Sequence, residues 1–137
     1  MAKRKSPKQS EHDNAVLAVK KIYEEHDKKV WINPGYEKNK TWNNQYIDVI
    51  ATENENSNKA WVIEIETEDS ITNSEAEDQW KNYDKAFTTI WYLAIPENLE
   101  SEAKELLENH KISNCKLITW VSNNNETFTF SFIPGID

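Results

Sequence analysis

Hydrophobic residues along this chain recur in two different rhythms. Ala15, Val16, Val19, Ile22 and Tyr23 fall at helical spacing and predict a helix over roughly 11–26. Ser10 stands before them as an N-cap, with Glu11 and Asp13 in the first turn, where the helix dipole favours acids. Val30-Trp31-Ile32 then reads as a short strand ended by the turn signal Asn33-Pro34-Gly35. A polar loop over 35–44 carries Trp42, expected to be exposed and either to anchor the loop or to stack on an unpaired base. Two further strands are predicted at 45–51 and 60–67, joined by the Asn/Glu-rich stretch 52–59. Ser74 to Glu77 reads as a capping box opening a helix to about Ala86.

The second half repeats the alternation. Thr88 to Ile95 is a nearly continuous apolar run stopped by Pro96, as expected for a strand buried on both faces. Leu99, Ala103, Leu106 and Leu107 form the buried stripe of a helix from about Glu100 to Asn109. Strands follow at 115–121 and 127–132 around an Asn123–Asn125 turn, the last with Phe128, Phe130 and Phe132 on one face. The order α-β-β-β-α-β-α-β-β predicts an α/β domain with a mixed central sheet flanked by helices.

Composition narrows what such a domain does. The chain has 137 residues, enough for one packed core, and six Trp, five Tyr and four Phe to anchor it. No apolar run approaches the roughly 18 residues of a membrane span, and the basic start lacks the apolar stretch of a secretory signal. Cys115 stands alone, which excludes an internal disulfide and fits a reducing, cytoplasmic setting. His12, His26 and His110 show no ligand spacing with it; His12 reads as a solvated helix residue. Net charge is −8, but residues 1–10 hold Lys3, Arg4, Lys5 and Lys8 and no acid, leaving a body at −12. Residues 1–9 are read as a basic flexible tail, serving as a phosphate grip or a solvated terminus, and 10–137 as a single domain. An acidic body repels phosphates unless a bound cation inverts the local field.

The acids supply a candidate site for such a cation. Asp48 lies in one predicted strand; Glu64 and Glu66 lie in the next, on the same face because strand side chains alternate. Carboxylates converging on a sheet repel one another unless a cation holds them or some are protonated, and Mg²⁺ or Mn²⁺ suits an all-oxygen set. Glu64 sits inside an apolar strand, where an unpaired carboxylate is costly. Gln79 and Tyr83, four apart on the following helix, offer an amide and a hydroxyl to a phosphate or a metal-bound water.

These residues resemble the motifs of the PD-(D/E)XK nuclease superfamily, in its Holliday-junction-resolvase-like and RecB-like branches. The likeness runs over about residues 10–96: Asp48, the acid-x-acid Glu64-Ile65-Glu66, Gln79-x-x-x-Tyr83 and a first-helix acid, Glu11. It implies a restriction-endonuclease-like α-β-β-β-α-β core and a Mg²⁺- or Mn²⁺-dependent endo- or exonuclease acting on DNA. Asp48, Glu64 and the Ile65 carbonyl would hold the metal, Glu11 would complete its shell or orient water, and Gln79 and Tyr83 would position the strand being cut. Glu66 replaces the family's lysine; some restriction enzymes of the superfamily carry Glu there and use it as a base. Lys81 is an alternative source of the missing charge, although straight helical geometry turns it about 200° from Gln79. Three readings compete: the nuclease, a catalytically inactive relative binding nucleic acid or protein, and an acidic DNA mimic. Nucleases of this type that cut both strands are often dimers, and the aromatic strand pair over 120–132 is a candidate homodimer surface, with a core role the alternative.

Overall fold

The helical period of the N-terminal segment is realised as α1 (Ser6–Glu25) in the computed structural model, which describes residues 6–35, 37–124 and 127–136. The helix starts a turn earlier than the expected Ser10 cap. Pro7 suits a first turn, where its missing N–H costs nothing and its fixed φ is already helical. Residues 6–9 of the expected flexible tail are therefore helical, and residues 1–5 lie outside the described residues.

The strands follow as β1 (Lys29–Ile32), β2 (Val49–Thr52) and β3 (Trp61–Ile65), each antiparallel to the one before. A helical stretch then crosses over in three joined pieces: α2 (Asn73–Glu75), a π-helical turn (Ala76–Trp80) and α3 (Lys81–Ala86). It delivers the chain to β4 (Trp91–Pro96), parallel to β3. A second crossover, α4 (Glu100–Asn109), leads to β5 (Cys115–Ser122), parallel to β4, and β6 (Phe128–Phe130) turns back antiparallel. The six strands lie side by side in sequence order. The α/β expectation thus holds as a mixed six-stranded sheet with helices.

Alternation along the strands gives the sheet two buried faces. Val49, Ala51, Ile63 and Ile65 pack against Ala15, Val16, Val19 and Tyr23 of α1. Ile50, Val62, Leu93 and Ile95 face the other way, onto Trp80, Tyr83, Ala103 and Leu107 of the crossover helices. Burying both faces explains why β4 reads as a continuous apolar run. Phe128 and Phe130 pack on the α1 cluster, so these aromatics belong to the core, while Phe132 is partly exposed. Trp42, expected to be exposed, is half-buried against the second cluster, where it anchors its loop. Among the described residues no helix is long and apolar enough to cross a membrane.

Candidate functional site

The regular ladder between β2 and β3 ends one residue before it would reach Asp48. The predicted strand over 45–51 is shorter for this reason. The Asp48 N–H donates to Glu64 Oε1 (3.2 Å), and the Ile65 N–H donates to Asp48 Oδ2 (2.8 Å). Two backbone donors that a ladder would pair with carbonyls are taken by carboxylates instead. The strands separate here, and acids occupy the gap. Asp48 is still held on its other side, where its carbonyl accepts from the Asn33 N–H (3.0 Å).

Strand alternation places Glu64 and Glu66 on the face of the crossover helix, as expected. Glu64 is 3 % exposed and Glu66 is fully buried, with Ser70 Oγ donating to one of its oxygens (3.1 Å) and the Trp80 indole N–H to the other (2.9 Å). Glu75 joins them from the helix. One carboxylate oxygen from each of Glu64, Glu66 and Glu75 lies within 4.8 Å of the others. The backbone positions Glu75 through a cap: the helix is capped by Thr72, whose Oγ1 accepts from the Glu75 N–H (3.1 Å), and not by Ser74. The first turn then widens, with the Lys81 N–H bonding to the Ala76 carbonyl five residues back. Such π-turns recur at functional sites because one extra residue re-aims the side chains around it.

Gln79 and Tyr83 continue the line begun by Glu75. The Tyr83 hydroxyl donates to Gln79 Oε1 (3.0 Å). Burial, the negative charges of Glu64, Asp48 and Glu66, and a hydrogen bond with Glu64 hold its phenol well above the ordinary value. Tyr83 therefore remains a neutral donor beside the carboxylates. Lys81 points to a different set of groups: its Nζ lies 2.8 Å from Glu77 Oε2.

On the first helix, the expected Glu11 and its neighbour His12 face different partners. Glu11 pairs with Lys8 (3.5 Å) and lines a cleft with Glu68, Pro96 and Trp120. Its neighbour His12, expected in solvent, is fully buried, with Nε2 2.9 Å from Asp48 Oδ2 and Nδ1 2.9 Å from Asp13 Oδ1. Both contacts are hydrogen bonds only if both ring nitrogens carry hydrogen or one carboxyl retains its proton. Asp13 is fixed in turn by Gln9 Nε2 (2.9 Å) and the Gly35 N–H (3.0 Å).

Glu64, Glu66 and Glu75 could hold a cation: one oxygen of each lies within 4.8 Å of the others, a span comparable to the about 5 Å between opposite ligands of Ca²⁺ and above the about 4.2 Å of Mg²⁺. Asp48 Oδ2 meets His12 and accepts from the Ile65 N–H, and Glu75 joins Glu64 and Glu66 as an acid outside the expected set of Asp48, Glu64 and the Ile65 carbonyl. Sequence reading missed Glu75 and His12. Glu75 carried a signal, since Glu75, Gln79 and Tyr83 recur every four residues. His12 carried none, because its partner is 36 residues away.

No protein family, curated protein or solved structure matches the chain.

Proposed function

We propose that the chain is a divalent-metal-dependent deoxyribonuclease of the PD-(D/E)XK type, hydrolysing phosphodiester bonds at the acidic gap between β2 and β3. The observation that carries the reading is the buried trio Glu64, Glu66 and Glu75 beside Asp48, at the point where two core strands part. The sheet supports it: three antiparallel strands, a helical crossover and a parallel fourth strand follow the α-β-β-β-α-β order. Glu64, Glu66 and Glu75 would hold Mg²⁺ or Mn²⁺, with Asp48 set beside them by its bonds to His12 and Ile65. A divalent cation there would lower the pKa of a bound water and offset charge on the pentavalent phosphorus. The Gln79 amide N–H groups would orient a phosphate oxygen, and the neutral Tyr83 hydroxyl, which donates to Gln79 Oε1, would hold that amide in place.

A second reading has its own observation. Glu66 stands where the resembling nucleases carry lysine, and both of its oxygens accept hydrogen bonds from neutral donors, Ser70 and Trp80. An acid held in this way is a structural strut, and the alternative is an inactive nuclease-fold protein that binds DNA or a protein. Purified protein incubated with Mn²⁺ or Mg²⁺ and a panel of linear, single-stranded and branched DNAs separates the two. Cleavage abolished by Asp48→Ala and by Glu64→Gln supports the hydrolase; no cleavage of any substrate supports the inactive relative.

A further inference from the structure

The edge of the sheet formed by β1 has chemistry of the opposite sign to the site. Residues 29–46 hold Lys29, Lys38 and Lys40 against one acid, Glu37, in a chain of net charge −8. These lysines lie over aromatic rings. Lys29 Nζ and Lys40 Nζ are 5.7 and 4.9 Å from the centre of the Trp31 ring, and Lys38 Nζ is 5.7 Å from that of Tyr46. β1 ends the strand order, so among the described residues no further strand pairs with its outer edge. Tyr46 is 43 % exposed and Trp31 half-buried. Lys29 also meets Glu55 at 3.3 Å, whereas among the described residues neither Lys38 nor Lys40 has a carboxylate within 4.0 Å.

The patch sits on fixed backbone. The Asn33 carboxamide accepts from the Asn39 and Lys40 N–H groups and donates to the Lys40 and Ile47 carbonyls, all between 2.7 and 2.9 Å. The same segment runs on to Asp48, two residues beyond Tyr46.

We propose that this edge grips a single nucleic-acid strand, with bases stacked on Trp31 and Tyr46 and phosphates on Lys29, Lys38 and Lys40. An unpaired strand presents the ring faces of its bases, which a duplex keeps stacked on each other. A base on an aromatic face outweighs an exposed ammonium on the same face. The displaced lysine then meets the adjoining phosphate. The acidic remainder of the surface repels phosphates and confines the strand to this edge. That the grip delivers a strand to the acidic gap rests on the nuclease reading; the grip itself does not.

Binding of a short fluorescein-labelled oligodeoxythymidylate, followed by anisotropy in EDTA, tests the grip without metal or cleavage. Wild type should bind with log K falling against log salt at a slope of about −2, for three lysines at about 0.7 per phosphate. Lys38→Glu/Lys40→Glu should weaken binding at least roughly tenfold and reduce the slope to about −0.7. Tyr46→Ala should lose roughly tenfold with the slope unchanged, because stacking is not ionic. Both variants change surface side chains, and matching thermal unfolding curves verify their fold. No binding by wild type, equal binding of a blunt duplex, or unchanged binding by the double lysine variant would overturn the proposal. A protein that binds and never cuts removes the hydrolase reading alone. One that cuts while the lysine variant binds normally removes this inference alone.

Discussion

β3 is buried on both faces, and the two faces differ in kind. Ile63 and Ile65 turn toward α1 and pack into an apolar cluster with Val16 and Val19. Val62 begins the other face in the same way, but Glu64 and Glu66 continue it as carboxylates at 3 % and 0 % exposure. Burying an aliphatic side chain stabilises the fold by roughly 1.5–3 kcal/mol, whereas burying a carboxylate costs free energy unless it is bonded or paired. One strand therefore serves two ends. Its α1 face holds the molecule together, and its helix-crossover face holds charge in a place where stability alone would put leucine.

The largest effect should come from breaking the apolar face. Ile63→Ala should lower the unfolding free energy by about 2–5 kcal/mol in urea titration, with or without metal. The acidic face should respond less and differently. Trp80→Phe removes the N–H that bonds Glu66 and also shrinks a fully buried ring; the lost hydrogen bond to a charged group should by itself cost about 1.5–3 kcal/mol. Most of that loss should vanish in the Glu66→Gln background, where the acceptor is uncharged; equal losses in both backgrounds would make Trp80 a packing residue.

The smallest expected effect lies at the outer end of the His12 contacts. Burial alone would raise the Asp13 pKa, but hydrogen bonds from His12 and Gln9, the charge of His12 and the Gly35 N–H bring it below the ordinary 3.8. A folded value below the unfolded one adds stability above the unfolded pKa, and this is lost as pH falls through the folded value. Asp13→Asn should therefore be less stable than wild type near neutrality, with the gap closing below about pH 4. A gap independent of pH would show that the carboxylate charge contributes nothing.

The same contrast explains what could be read from the sequence. The apolar face announces itself by period: Ala15, Val16, Val19 and Tyr23 in α1, and the run ending in Ile95, placed helices and strands close to where they stand. Glu64 and Glu66 were legible because two carboxylates at strand spacing in an apolar segment contradict a simple core. Glu75 was obscured by a capping reading that chose Ser74 over Thr72, and so treated a buried acid as an ordinary first-turn residue. His12 was invisible for a different reason. Its environment is created by Asp48, on another element, and nothing local to α1 distinguishes a histidine over a strand gap from one in solvent. Glu11, one position away, faces Lys8 instead of Asp48, because adjacent helix residues point about 100° apart.

The central claim is that the acidic face of β3 is organised for a divalent cation. The most direct test is the thermal unfolding midpoint of wild type and Glu64→Gln, each with Mn²⁺ and with EDTA. In EDTA the variant should be the more stable, by on the order of 1 kcal/mol, because one of three crowded charges is gone. Mn²⁺ at about 100 times its Kd should stabilise wild type by roughly 2.7 kcal/mol and leave the variant unmoved. A wild-type midpoint that ignores millimolar Mn²⁺, or a variant that rises with it equally, would contradict the account.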